Sequence, residues 1–162
     1  MPSFVSGQQP AFCVAAVVAM KDAAETIGRA VSSALAQPET VEVVVVDDGS
    51  ADESAALVSR LAAADPRVAL IRRPQSGGPA SARNLAIAHS QAPFVAVLDA
   101  DDYWTPGRLA RLAPLIRDHD MVADDLLVVA ERQALSQATP LIGLDAPMEL
   151  GLEAFLLGNI SR

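Results

Sequence analysis

Residues 94–102, Phe94-Val95-Ala96-Val97-Leu98-Asp99-Ala100-Asp101-Asp102, run apolar for five positions and then set three carboxylates within four. Unpaired acids this close repel by about 1 kcal/mol per pair in water, and by several at the lower effective dielectric of a cleft. A divalent cation is the natural counterweight. Mg²⁺ or Mn²⁺ takes one or two carboxylates, keeps several waters and shares its remaining positions with phosphate oxygens. An isolated D-x-D also reads as a solvated turn, but this one has company. A second acid pair opens the turn Asp47-Asp48-Gly49-Ser50, and a third polar stretch, Arg72-Arg73-Pro74-Gln75-Ser76-Gly77-Gly78-Pro79, precedes Arg83 and Asn84. Two acidic lips and a glycine loop suit a nucleotide.

The elements that must carry these groups alternate strand and helix. Phe12 to Ala19 reads as a first strand, Val41 to Val46 as a second, Val68 to Ile71 as a third. The unalternating run before Asp99 reads as a fourth, buried on both faces. Asp22 with Glu25, and Ser50 with Glu53, have the spacing of capping boxes for two helices, the first reaching about Gln37. Ile27, Ala30, Val31 and Leu35 would line the inner face of the first helix, and Ala56, Leu57 and Leu61 that of the second. Pro79 suits the first turn of a third helix over 80–90, and Thr105-Pro106 restart one with Leu109, Leu112, Leu115 and Ile116 inward. Further on, Leu126 to Ala130 is a candidate strand and Glu149 to Leu157 a short helix. Such alternation predicts an α/β fold, a mostly parallel sheet flanked by helices, with ligands beyond the C-terminal strand edges.

Composition narrows the function further. A chain of 162 residues, 51% apolar, holds the core of one domain, and a net charge of −8 with Lys21 as its single lysine argues against a nucleic-acid partner. Cys13, alone in an apolar run, is expected to be a small buried hydrophobe, so neither a disulfide framework nor a cysteine zinc site arises. Residues 1–10 lack the pattern of a leader, and no apolar run has the length of a membrane span, so the expected location is cytoplasmic. The first strand is followed by Met20-Lys21-Asp22-Ala23-Ala24, not G-x-G-x-x-G, which speaks against a nicotinamide cofactor. A dehalogenase-like phosphatase would want a threonine where Tyr103 stands, and a receiver domain would place its acid pair after strand one.

The acid-ended valine strand with Asp47-Asp48-Gly49-Ser50, the segment Gly78-Pro79-Ala80-Ser81-Ala82-Arg83-Asn84, and Asp99-Ala100-Asp101-Asp102 followed by Trp104, Pro106 and Arg108-Leu109 together resemble family 2 glycosyltransferases. The likeness covers roughly residues 12–112 and implies the GT-A, Rossmann-like fold. It implies an enzyme that uses a nucleotide-sugar donor, most simply a UDP-sugar, with Mg²⁺ or Mn²⁺. By position, Asp48 would read the uracil edge with Asp47 beside it, and Arg83 would face the base or the diphosphate. Asn84 would hold the loop, Asp101 the metal, Asp99 the ribose and metal, and Asp102 would stand behind them. Asp48 and Asp101 are thus expected on one rim of the sheet.

The same likeness divides the chain into an extension (1–11), a nucleotide-sugar-binding domain (12–118) and the incomplete start of an acceptor-side region (119–162). The fold would then be truncated after its nucleotide-binding half. An inverting enzyme of this kind needs a general base, expected beyond Arg162, because Asp124, Asp125, Asp145, Glu149 and Glu153 have no setting that marks one of them. A P-x-Y-N turn is usual after the first strand, where this chain has Ala19-Met20-Lys21-Asp22. Losing its aromatic ring removes stacking of about 1–3 kcal/mol, by comparison with nucleic-acid bases. Lys21 would pair with Asp22 or Asp48, or else with the diphosphate. Beyond Asp120 the sequence is similar to succinoglycan-type exopolysaccharide transferases. That similarity implies a saccharide or lipid-linked oligosaccharide acceptor and peripheral association with the inner face of the plasma membrane. The alternative is a non-catalytic or vestigial nucleotide-binding domain.

Overall fold

Valine and alanine runs too apolar to face water set the frame of the first unit. In the computed structural model, residues 12–129, 135–141 and 143 are described. The chain packs as two units, Met1–Asp120 and Met121–Arg162, and each is taken by itself. In the first, β1 (Val14–Met20), β2 (Thr40–Asp47), β3 (Val68–Arg72) and β4 (Phe94–Val97) form a parallel sheet in the order β3-β2-β1-β4. The helices between and after them are α1 (Ile27–Leu35), α2 (Ser54–Ala64), α3 (Pro79–His89) and α4 (Arg108–Leu112). In register, Met20 lies beside Asp47, and Asp47 beside Arg72. The polar ends of β1, β2 and β3 therefore share one edge. β4 joins lower, with Val97 beside Val17, so the acids that follow it rise to the level of Ala19 and Lys21.

Alternate side chains supply two cores. Val14, Ala16, Val18, Met20, Val43 and Val45 pack beneath Ile27, Ala30, Val31 and Ala34 of α1 and Val58 of α2, with Trp104 and Leu109 in the same cluster. On the opposite face Val17, Val44 and Val46 meet Ala82 and Ala86 of α3, whose methyl side chains let the helix lie close. Full burial of a valine contributes roughly 1.5–3 kcal/mol, so these two layers supply most of the unit's cohesion.

Several expectations change at element ends. β4 is an edge strand among the described residues, with Val95 41% and Val97 51% exposed, so it is not buried on both faces. The reason is placement: α3 packs over β1 and β2 and leaves that side of β4 uncovered. Helix α1 begins later than a cap at Asp22 would put it. Thr26 is its N-cap and Asp22 adopts the left-handed region at φ +48°. Helix α2 likewise starts at Ser54 after Glu53, without a capping hydroxyl from Ser50. Both predicted caps are used instead to join the two loops. Cys13 is half-buried, and α4 ends at Leu112, leaving Leu115 exposed. Pro79 does open α3, directly after Gly78 at φ +85°, a conformation that favours glycine.

In the second unit β5 (Leu127–Val128) pairs antiparallel with β6 (Thr139–Pro140), so the strand expected over 126–130 is only two residues long. The helix expected around Glu149 to Leu157, and the acids Asp145, Glu149 and Glu153, lie outside the described residues.

Candidate active site

Where β1 ends, the loop to α1 is clasped to the loop after β2. Asp22 N–H donates to Ser50 Oγ (2.9 Å) and Ala51 N–H returns a bond to Asp22 Oδ1 (2.7 Å). Ala23 N–H donates to Ser54 Oγ (2.8 Å) and Ala24 N–H to Asp52 Oδ2 (3.1 Å). The Ser54 hydroxyl and backbone N–H also donate to Asp52, and with Ala24 N–H they hold its carboxyl below the usual range. These bonds fix a backbone that lacks the usual proline and aromatic ring. Asp52 and Ser54 had no motif to announce them beyond their place after an acid-ended strand.

The acids that end β2 turn inward. Asp48, 4% exposed, accepts from the Ser76 hydroxyl (2.7 Å), Gly77 N–H (3.0 Å) and Gly78 N–H (2.8 Å), and pairs with Arg73 Nη1 at 2.9 Å. The Ser76 hydroxyl first, then the Gly77 and Gly78 amides and the Arg73 charge, lower its carboxyl to about 2. Asp47 accepts from Ser50 N–H (2.9 Å) and lies 3.5 Å from Arg72 Nε. Both acids are therefore engaged in holding the 72–79 loop and their own turn. A Cβ on Gly77 would fall 2.1 Å from Arg73 Nη2, so any larger residue must displace that guanidinium. Asn84, expected to hold this loop, is exposed; Asp48 does the holding.

An open cleft of about 730 Å³ lies above the ends of β1 and β4, and Lys21, Asp22, Asp52, Arg83, Asp99 and Asp101 are on its walls. Arg83 Nη2 donates to Asp99 Oδ1 in a short ion pair, while its buried Nε has no acceptor. Lys21 is exposed and pairs with neither Asp22 nor Asp48, whose bonds go elsewhere. Desolvation of its carboxyl, then the charges of Asp101 and Asp99, push Asp102 up, against the opposing pull of Arg29. Lys21, Arg83, Asp99 and Asp101 thus meet in one cleft. Asp47 and Asp48 do not line it, which departs from the expected shared rim of Asp48 and Asp101.

The donors at this lip are hard oxygens, as Mg²⁺ or Mn²⁺ requires. Among the described residues no three His, Cys, Asp or Glu side chains are arranged to hold a metal by themselves. Two carboxylates, Asp99 and Asp101, fit an ion that takes its other oxygens from water and a diphosphate. The crowding that raises Asp102 is the kind of excess negative charge a cation offsets.

The parallel sheet flanked by helices, with a cleft at its acidic strand ends, has the GT-A glycosyltransferase fold of the solved structures it superposes on. Residues 15–141 match the family model described as Glycosyl transferase family 2, and the chain belongs to that family. It is 44% identical over 154 residues to the succinoglycan biosynthesis protein ExoU of Rhizobium meliloti (strain 1021), a match covering 92% of this chain and 44% of that protein. It thus spans under half of that relative's length. Among solved structures, S. aureus TarS 1-349 in complex with UDP-GlcNAc superposes with a TM-score of 0.59 at 25% identity, over 72% of this chain and 33% of that one. The mannosyltransferase PcManGT from Pyrobaculum calidifontis, in complex with GDP-Man and Mn²⁺, gives 0.60 at 28% identity, over 65% and 32%.

Proposed function

We propose that residues 12–118 form the donor side of an inverting glycosyltransferase that takes a UDP-sugar with Mg²⁺ or Mn²⁺, and that residues 119–162 begin its acceptor side. The observation that carries this reading is the convergence of Lys21, Arg83, Asp99 and Asp101 on one cleft at the C-terminal edge of the sheet. Glycosyl transfer needs stabilisation of the negative charge that grows on the leaving diphosphate. A bound divalent ion supplies Lewis-acid stabilisation of that charge, held by Asp101 with Asp99. Lys21 and Arg83, both on the cleft wall, offer the diphosphate two cationic partners. Arg83 is the group that must divide itself between Asp99 and phosphate. Asp48 and Asp47 serve the donor indirectly, by holding the glycine loop and the turn after β2.

An inverting transfer also needs a general base, a role this reading gives to none of Lys21, Arg83, Asp99 and Asp101. The succinoglycan likeness supports exopolysaccharide synthesis, with a saccharide or lipid-linked oligosaccharide as acceptor, in the cytoplasm at the inner face of the membrane. No helix among the described residues is long and apolar enough to cross a membrane. Calorimetric titration of UDP into the chain with and without MnCl₂ is the test. Binding that requires Mn²⁺ and weakens in Lys21→Met is expected. No UDP binding under either condition would refute the donor reading, and equal binding without metal would refute the cation's part in it.

A further inference from the structure

The acid-bearing turn has little of its own to hold it. Sheet pairing of β4 stops at Val97, one further bond ties Leu98 N–H to Val17 O at 3.1 Å, and regular structure resumes only at Arg108. Between them two turn bonds, Asp102 N–H to Asp99 O at 3.1 Å and Arg108 N–H to Thr105 O at 3.2 Å, close the segment on itself. Arg83 pairs with the Asp99 carboxylate and Arg111 donates to Pro106 O and Thr105 Oγ1, and side chains on and just past α1 hold the stretch between. The Arg29 Nη2 donates to the Asp101 carbonyl (3.1 Å), and its guanidinium lies 4.5 Å from the centre of the Tyr103 ring. Ser33 Oγ accepts from Trp104 N–H (3.0 Å). Gln37, just past the helix end, donates to Thr105 O (3.1 Å) and accepts from Leu109 N–H (3.3 Å).

These three residues are four apart, a spacing that advances about 6 Å along a helix while turning only slightly about its axis. Their contacts proceed along the neighbouring segment in the same order, from Asp101 to Leu109. We infer that Arg29, Ser33 and Gln37 form a positioning track that sets the turn bearing Asp99 and Asp101, and through it the affinity of that turn for a divalent cation. The cation part rests on the proposed donor site; the ordering of the turn does not. None of the three touches the proposed ligand, so each is a positioning residue. Partners of this kind, acting through a metal's own ligands, typically change affinity by about 10- to 100-fold.

Arg29 offers a decisive sign. It is a cation beside the acids, and if it acted only through its charge, removing it would tighten Mn²⁺ binding. If it positions the turn, removing it weakens binding. The test uses the 162-residue chain with Arg29→Met, Arg29→Lys and Ser33→Ala. Hydrogen exchange of the amides over 99–105 reads the turn, and the paramagnetic resonance signal of free Mn²⁺, with UDP present, reads cation affinity. Arg29→Met is expected to speed exchange in this segment alone and to weaken Mn²⁺ binding about tenfold. Arg29→Lys should not restore either, because a point charge lacks the planar fork that reaches Asp101 O while stacking on Tyr103. Ser33→Ala should move both readouts in the same direction by less.

Unchanged exchange in all three variants would overturn the inference, whether or not Mn²⁺ binds. Faster exchange with unaltered or tighter Mn²⁺ binding would overturn the link from turn to cation, and full rescue by lysine would reduce Arg29 to a charge and overturn its geometric role. Faster exchange in a chain whose unaltered form does not bind Mn²⁺ would uphold the ordering of the turn and sink the donor-site reading instead.

Discussion

Gln37→Leu replaces a buried amide by an apolar side chain of similar size, at a position 1% exposed in the angle between α1 and the start of α4. The amide donates to Thr105 O at 3.1 Å and more loosely to Ser33 O at 3.4 Å, and accepts from Leu109 N–H at 3.3 Å. Leu109 is in the first turn of α4, where a backbone N–H has no partner within the helix. Leucine therefore strands this donor, with Leu109 itself 1% exposed, while Thr105 O keeps its bond from Arg108 N–H at 3.2 Å. Each buried backbone group left unpaired costs about 1–3 kcal/mol, and leucine recovers part of that by its own burial. A net loss of about 1–2 kcal/mol is expected, a measurable share of the 5–15 kcal/mol that stabilises a typical domain. The corresponding fall in Tm is roughly 5 °C. Urea unfolding followed by circular dichroism measures it, and Gln37→Glu, which keeps the acceptor for Leu109 N–H, should fall between leucine and the unaltered chain. If Gln37→Leu stays within about 0.5 kcal/mol of the unaltered chain, the reasoning that this amide ties α1 to the 104–109 segment is refuted.

Three further outcomes are expected. Asp48 has a folded pKa of about 2 against an ordinary 3.8, so its contribution to stability is complete above the higher value and drains away as pH falls through the lower one. The gap in urea midpoint between the unaltered chain and Asp48→Asn should accordingly be widest above pH 4 and narrow toward pH 2; a gap independent of pH would refute this. Gly77→Ala must drive Arg73 from Asp48, since its methyl group would sit 2.1 Å from Arg73 Nη2, so the substitution should destabilise the unaltered chain but do little in an Arg73→Ala background. Additive losses in that double-mutant cycle would count against the crossing. Asp101→Asn, at an exposed position, should leave Tm unchanged while abolishing Mn²⁺-dependent UDP binding in calorimetry, and retained binding would remove Asp101 from the proposed metal site.

Much of the frame was legible in the order of residues alone. Runs such as Val43-Val44-Val45-Val46 have one physical outlet, a strand covered on both sides, and Pro79 after Gly78 could only enter a helix at its first turn. Because parallel strands bring their C-terminal ends to one edge, acids at those ends were bound to gather along that edge. Motif spacing also gave the family, since Asp47-Asp48-Gly49-Ser50 and Asp99-Ala100-Asp101 keep their order in any fold of this kind. What spacing does not encode is where a side chain at such an edge turns. Asp47-Asp48 and Asp99-Ala100-Asp101 look alike in sequence, yet the first pair is buried because Ser76, Gly77, Gly78 and Arg73 fold back over it. The second group stays open on the cleft, with no loop folded back over it among the described residues. Only the packing of α1 against the segment after β4 brings Arg29 to Asp101 and Gln37 to Leu109, contacts 72 residues apart along the chain. Local pattern fixes the period of an element and the chemistry at its ends; which of those ends meet, and which face the cleft, depends on distant groups competing for the same hydrogen bonds, and that is decided only when the sheet and its helices close together.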